Sequence, residues 1–376
     1  LDYNGISYTL TYGPQIGPSY EELDNRREFR NFIYYVNDKR ENIRLRSEDV
    51  EVVEERVQWI GIAGKYFTVL GVPDATEYSH TVSNQTPVGL QDGAFLSFTR
   101  PLIRSAANED VFRFYVGPKV NRVLDRYNDP DDNALRVRNL DLDAAVDSRF
   151  LFGWLENILK WIMQQLERVI PNYGVTIIIL TIIVKALLFP LTHKSYESTS
   201  RMQAMQPKIN ELREKYKNDP QKMNAAMADM YKKEGVNPLG GCLPMLAQFP
   251  FFIAMFGLFN NHFDLRGATF IPGWITDLSA PDSILSWSTP IPLLNWTDLR
   301  LLPILFLASQ LLTSKLMQSP GATNNSQTKM MQFGLPIVFF FVLYNMPSGL
   351  LVYWFFSNVL TVAQQYYINR KRKATE

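Results

Sequence analysis

The hydrophobic positions of this chain follow two periods, and the change falls near residue 150. In "GISYTLTYGP" Ile6, Tyr8, Leu10 and Tyr12 alternate with Ser7, Thr9 and Thr11. That is the period of a half-buried strand, stopped by Gly13-Pro14. "VFRFYVGP" (111–118) ends the same way, and "VQWIGIAGKYFTVLGVP" (57–73) is rich in β-branched and aromatic residues. The pattern predicts a soluble antiparallel β-sandwich domain over residues 1–148.

Past residue 150 the period lengthens. "FLFGWLENILKWIMQQLERV" (150–169) sets Glu156, Lys160 and Gln164 on one helical stripe, with Leu151, Leu155, Ile158, Ile162 and Leu166 on the other side. Pro171 ends it. Trp154 and Trp161 share a face, which suits an amphipathic helix lying in a membrane interface over 149–170; an ordinary core helix is the alternative. Four stretches then lack Asp, Glu, Arg and Lys apart from Lys185: 173–192, 235–261, 301–314 and 330–369. Each of the first two is long enough for one helix across a ~30 Å hydrocarbon layer. The last exceeds one span and is broken by "NMPSG" (345–349), so it reads as two. The third has fourteen residues, a rise of only about 21 Å, and a buried or re-entrant segment is its rival. Counting it gives a five-span core over 171–369.

Charge supports that count. Residues 193–234 carry nine Lys/Arg and the tail "NRKRK" four, whereas 262–300 holds only Arg266 and Arg300. The positive-inside rule then puts the long loop and the tail 370–376 in the cytoplasm and the β-domain outside, and five spans satisfy it where four do not. Within the loop, Met202, Met205, Ile209, Leu212 and Tyr216 recur at three and four. "KNDP" supplies a turn with Asp219 as cap and Pro220 at the first helical position, and Met223, Ala226, Met227 and Met230 resume the spacing. This predicts an antiparallel helical hairpin over 194–234. Its apolar stripe is either a coiled-coil seam or an adaptable methionine-rich docking surface made of Met202, Met205, Ile209, Met223, Met227 and Met230.

Composition by itself misleads. The mean hydropathy of −0.12 and net charge of +1 over 376 residues describe a soluble protein, because the charge-rich N-terminal part masks the apolar remainder. Length alone suggests two or three domains. Cys242 is the one cysteine, so no intrachain disulfide and no cysteine metal site is expected, and His80, His193 and His262 fit no metal motif. No cofactor is expected. No phosphate-binding GxxxxGK[ST] occurs, and "SQTK" (326–329) matches the Ser/Lys nucleophile pattern as a chance tetrapeptide in a polar loop. An enzyme is therefore not expected.

The chemistry concentrates at Lys185. An ionised side chain at membrane depth costs about 2.5 to 3.5 kcal/mol unless solvated or paired, and the other charge-free stretches contain no carboxylate to pair with it. One alternative is snorkelling, the stem reaching toward headgroups near Thr192. The other is a wet cavity. Thr181, Lys185, Leu188 and Thr192 share a face, the last span adds Ser357, Thr361 and Gln364 or Gln365, and Gln248, Ser309, Gln310 and Thr313 supply further polar atoms. A cavity holding one unpaired cation attracts acidic or polar segments of a passing chain, a device that lowers the barrier for polar polypeptide. A small-anion channel or transporter is the rival, and it lacks the support of inverted repeats.

"MQPKI" (205–209), "EGVNPLGGCLPMLAQFPFF" (234–252), "MPSGLLVYWFFSN" (346–358) and "FPLT" (189–192) together resemble the YidC/Oxa/Alb family of membrane protein insertases. The resemblance runs from about Val111 to Arg372. It implies a polytopic α-helical protein of the bacterial inner membrane, with an external β-supersandwich and five spans around a hydrophilic groove. It implies capture of nascent membrane proteins and their release into the bilayer, alone or with the Sec translocon. The ribosome, the signal recognition particle receptor and membrane lipids are implied as partners, and nucleic acid is not. Lys185 falls where the family usually has a groove arginine, and Tyr353 and Trp354 match positions that face substrate. Family members usually begin with a further span and a longer external domain, so this chain, starting at Leu1, reads as a truncated or processed form.

Overall fold

The computed structural model describes residues 6–13, 31–45, 49–74, 76–84, 94–103, 109–146, 152–235, 243–292, 294–317 and 330–375. Pro14, Leu151, Cys242, the rest of 236–242 and the tetrapeptide 326–329 lie outside them. The chain falls into two compact units, Leu1–Arg149 and Phe150–Glu376.

The first unit is built from β1 (Thr9–Tyr12), β2 (Asn31–Val36), β3 (Lys39–Ile43), β4 (Val50–Val53), β5 (Trp59–Ala63), β6 (Phe67–Pro73), β7 (Ser79–Ser83), β8 (Phe95–Thr99) and β9 (Phe112–Pro118). They form two antiparallel sheets, ordered β1-β8-β7-β4 and β3-β2-β5-β6-β9. Phe32, Ile60 and Ile62 of the larger sheet meet Val53, Val82, Leu96 and Phe98 of the smaller in one core, as a sandwich requires. The larger sheet is covered on its other face too. The segment after β9, with the short helix α1 (Asn121–Leu124) and a 3-10 turn at Leu142–Ala145, lays Leu124, Leu142 and Ala145 over Ile33, Trp59 and Leu70. Burial on two faces is why all five β5 residues are inaccessible.

The alternation around β1 has the expected parity but not the expected burial. Thr9 and Thr11 hydrogen-bond across to Thr99 and Ser97 on the outer face. Tyr12 turns inward, its ring 6.0 Å from Phe98, yet Ile6, Tyr8 and Leu10 remain exposed. Among the described residues the strand lies at the edge of its sheet, paired on one flank only. It is tied down at Asp110, whose carboxylate accepts from Tyr8 Oη (2.6 Å), Thr76 Oγ1 (2.9 Å) and Arg100 Nε.

Two groups in this unit make its stability depend on acid. His80 is 1% exposed, and burial lowers its imidazole to about 4. The Arg100 guanidinium holds the Asp110 carboxyl well below the usual carboxylate range. Between the unfolded histidine value near 6.5 and about 4, the unfolded chain binds a proton that the folded one refuses, so stability falls with pH across that window. Asp110 adds a further loss below the ordinary aspartate value, where the unfolded carboxylate takes up a proton and the folded one remains ionised. Hydrogen exchange at β5 and β6 amides should show opening free energy dropping by up to about 3 kcal/mol from pH 7 to pH 4. His80→Leu should remove most of that slope, and an unchanged slope would exclude His80 as its source.

The second unit is helical: α2 (Gly153–Val169), α3 (Tyr173–Ala204), α4 (Gln206–Lys215), α5 (Pro220–Lys233), α6 (Leu243–Asn261), α7 (Leu301–Met317), α8 (Leu335–Leu343, entered through a π-helical turn at Met330–Gly334) and α9 (Ser348–Thr375). Ile170 ends α2 in an extended conformation, as a residue before proline must. Asn172 Oδ1 then caps α3 by accepting from Val175 N at 3.1 Å. On α2 the buried stripe is Leu155, Leu159 and Met163, while Trp154, Ile158 and Trp161 face outward. The buried stripe is rotated toward Leu159, which leaves Ile158 on the exposed side with the two tryptophans. Among the described residues one helical segment, Tyr173–Ser198, is by itself long and apolar enough to cross a membrane; Leu301–Leu316 is apolar but shorter.

Between α6 and α7 the chain builds a folded cap with a two-stranded ladder, β10 (Leu285–Ser286) and β11 (Asp298–Leu299). Leu265, Ile275 and Leu278 are wholly buried in the bundle core with Ile177, Phe259 and Leu350. Close backbone approach fixes this contact. Gly349 N donates to Leu278 O at 2.9 Å, and a Cβ on Gly174 would lie 2.0 Å from the Phe270 ring.

Candidate functional site

The bundle core changes character along α3. Near its N-terminal end Ile177 and Leu180 pack with Met255, Leu258 and Phe259 of α6 and Leu350 and Leu351 of α9. From Thr181 onward polar side chains join the buried set: Thr181, Thr192 and Ser195 on α3 beside Val184 and Leu188, and Ser357, Thr361 and Gln365 on α9. Both helices are nearly uniform in hydropathy around their circumference, so their amphipathic stripes are short and local.

Lys185 sits where the two regimes meet. Its Nζ donates to Thr361 Oγ1 at 2.9 Å and to Gln248 Oε1 at 3.4 Å. Gln248 Nε2 in turn donates to Ser357 Oγ at 3.4 Å, and one turn along, Gln364 Nε2 donates to Thr192 Oγ1 at 3.2 Å. The amine is half-buried and turned into the bundle, so the snorkelling alternative is not the one adopted. Among the described residues no carboxylate contacts it; its partners are a hydroxyl and an amide oxygen, both neutral. Of the polar side chains expected to line a cavity, Gln248, Ser357, Thr361, Thr192 and Gln364 are here bonded across α3, α6 and α9, while Thr313 on α7 donates to Ser309 O within its own helix. Thr181 stands apart, its hydroxyl donating to Ile177 O at 2.7 Å within its own helix.

Tyr353 and Trp354 correct an expectation. Both were expected to face an open groove, and both are inside the packing. Tyr353 lies 5.9 Å from the Phe259 ring, and Trp354 is stacked on Phe252 at 5.1 Å with Phe306 at 5.6 Å. They occupy the α9 stripe one turn from Ser357, so the aromatic packing closes the polar cluster on the apolar side. A further polar contact was missed in the sequence. Asn358 Nδ2 donates to Ser309 Oγ at 3.1 Å and Gln310 Oε1 at 2.9 Å, joining α9 to α7. The available signal was an amide inside an apolar run, the same signal that singled out Gln248.

Beyond α3 the helices α4 and α5 form a hairpin, shorter than the expected 194–234 because α3 itself runs through residues 194–204. Asp219 accepts from Lys222 N at 3.1 Å and Pro220 opens α5, while Lys208 pairs with Glu234 at 2.8 Å between the two arms. Met205 and Ile209 are buried against Met202, Met227, Met230 and Tyr231, so five of the six side chains proposed for docking form the seam that closes the hairpin on itself. Met223 is half-buried outside that cluster.

Apolar helices around a small polar interior, joined to a separate antiparallel β-sandwich, define a polytopic α-helical membrane protein with a β-domain. The family model described as 60Kd inner membrane protein matches residues 165–375, and that of the YidC periplasmic domain matches residues 13–165. The chain belongs to the 60Kd inner membrane protein family. The membrane protein insertase YidC of Treponema denticola is 44% identical over 377 residues, covering 99% of this chain and 65% of that protein. Its namesake in Treponema pallidum is 38% identical, covering 98% and 60%, and that of Pelobacter propionicus 36% identical, covering 92% and 61%. The chain thus spans between 60% and 65% of the length of these relatives. A crystal structure described as active YidC insertase with its first transmembrane domain resolved aligns over 89% of this chain and 83% of its own, at 18% identity and a TM-score of 0.47.

Proposed function

We propose that this protein is a membrane protein insertase and chaperone. It captures a nascent segment at the polar cluster around Lys185, holds the acidic and polar groups there, and releases the apolar part sideways into lipid. The observation that carries this reading is an ammonium at membrane depth whose partners at 2.9 and 3.4 Å are neutral oxygens. A charge without a fixed counter-ion remains available to an incoming carboxylate, and exchange of neutral partners for a charged one is favourable in a low dielectric. The names of the relatives support the same activity. An ion channel is less well supported, because the polar groups are tied across three helices and Tyr353 and Trp354 fill the space beyond them.

In this reading α3, α6, α7, the α8 segment and α9 are five spans, the β-sandwich lies outside, and the basic hairpin and C-terminus lie in the cytoplasm. The ribosome, the Sec translocon and the signal recognition particle receptor are partners on the cytoplasmic and lateral sides, and no cofactor or bond-making step is involved. Hydrophobic partitioning drives release, with the membrane potential acting on charged substrate segments. Reconstituting the full-length protein alone in liposomes with a small single-span substrate tests this: protease-protected substrate should accumulate well above the level in empty liposomes. Equal protection in the two preparations would refute autonomous insertion.

A further inference from the structure

The cap between α6 and α7 has two halves of opposite character. Residues 262–282 bury Leu265, Ile275 and Leu278 in the bundle. Residues 283–297, "SILSWSTPIPLLNWT", contain no charged side chain, and their apolar groups turn outward: Ile284, Leu285, Ile291 and Leu294 are all exposed, Leu285 by 59%. Fifteen uncharged residues presenting isoleucine and leucine to water are not what a solvated loop needs.

The described residues of this segment bond to one another across a hairpin. Backbone bonds run from Ile284 N to Leu299 O (3.0 Å), Trp287 N to Thr297 O (2.9 Å) and Ile291 N to Trp296 O (3.0 Å). Trp287 Nε1 donates to Trp296 O at 3.1 Å. The one anion at its base, Asp298, accepts from Ser283, Ser286 and Thr297 hydroxyls at 3.2, 2.7 and 3.0 Å, with Arg300 at 3.6 Å. Internal satisfaction of polar groups with apolar side chains outside is the arrangement that a medium poor in water selects.

The patch also continues an apolar surface. Trp296 stacks on Tyr344 at the end of α8, ring centroids 3.6 Å apart and planes within 5°, and lies 5.9 Å from Phe341. Phe341, Val342 and Val338 lie on the exposed face of α8, which faces lipid if α8 is a span. A Trp–Tyr pair at the end of such a face is the composition of the membrane interface.

We propose that the 283–299 hairpin inserts into the outer leaflet, with Ile284, Leu285, Ile291 and Leu294 below the headgroups and Trp296 and Tyr344 at their level. The proposal rests on the topology given above. The occupant is lipid rather than a protein partner because the patch carries no charge to specify one and merges with the α8 face.

Single-cysteine variants Leu285→Cys and Leu294→Cys, made in the full-length protein with all other cysteines replaced, are labelled with an environment-sensitive fluorophore and reconstituted in phosphatidylcholine–phosphatidylglycerol liposomes. Blue-shifted emission is expected, quenched at least ~2-fold by lipids spin-labelled near the headgroup and little affected by aqueous iodide. The same label at Thr269→Cys, in the packed half of the cap, should show the reverse. Red emission quenched by iodide at Leu285 and Leu294 would overturn the proposal. So would a blue shift that ignores the spin-labelled lipids or disappears on dilution in lipid, since a second copy or another protein would then cover the patch. A membrane-impermeant maleimide separates this from the topology: Thr269→Cys reacting only from the cytoplasmic side would defeat the topology and with it the outer-leaflet placement, whereas reaction from outside leaves the quenching result to decide.

Discussion

Lys185→Glu should lower insertion of a single-span substrate bearing an acidic outer segment by at least about tenfold, while Lys185→Arg retains most activity. A hydrogen bond to a charged group is worth roughly 1.5 to 3 kcal/mol, which is one to two decades in a binding or transition-state equilibrium. Glutamate loses that bond and adds repulsion toward the segment it should hold. It also turns a carboxylate toward the Gln248 carbonyl oxygen, which now accepts from Lys185. Alanine should fall between them, with the larger deficit for acidic substrates than for neutral ones. Arginine keeps the cation and brings more donors for Thr361 and Gln248. The measurement is protease-protected substrate in liposomes at matched protein levels. Four indistinguishable rates would remove the charge from the mechanism, and an equal loss for acidic and neutral substrates would reduce Lys185 to a packing role.

The second large effect is expected at Asp282, which is buried at the start of α7. One carboxylate oxygen accepts from Leu301 N at 2.8 Å, Leu302 N at 3.0 Å and Trp274 Nε1 at 2.9 Å. It therefore caps α7 and bolts the cap to the helix at once, and its charge faces the positive end of the helix dipole. Asp282→Ala leaves one buried and two part-buried donors without their acceptor, a loss of roughly 2 to 3 kcal/mol. Thermal unfolding in detergent should shift down by several degrees, with faster hydrogen exchange at the Leu301 and Leu302 amides and the Trp274 indole N–H. Asp282→Asn should lose less, because an amide oxygen can still accept. An unfolding curve for Asp282→Ala that superimposes on the wild type would show that the carboxylate holds nothing.

The legible parts of the structure were those written in local signals. Asp219-Pro220 marks a cap whose side chain and first-turn geometry need no distant partner, and "NMPSG" breaks a helix through its own proline and glycine. Lys185 stood out because the sequence offered it no carboxylate. Features made by distant contacts were not legible. The cover of the larger sheet by 121–146 depends on Leu124 and Leu142 reaching Trp59, and nothing periodic announces it. The cap over 262–282 depends on Leu278 meeting Gly349, and Tyr353 and Trp354 lie inside because Phe252, Phe259 and Phe306 come from two other helices. Helix α3 runs to Ala204, past the end expected at Thr192, since the apolar stretch ended there but helix-forming sequence did not.

That last feature has a mechanical side. The same unbroken helix holds Lys185 and Met202, seventeen positions apart or about 25 Å of rise, so the hairpin seam and the half-buried amine ride on one shaft. The shaft has a single built-in soft joint between them, Pro190, whose missing N–H leaves the Ala186 carbonyl without its usual intrahelical donor. A load applied to the hairpin therefore exerts leverage on the Lys185–Thr361 bond through that joint.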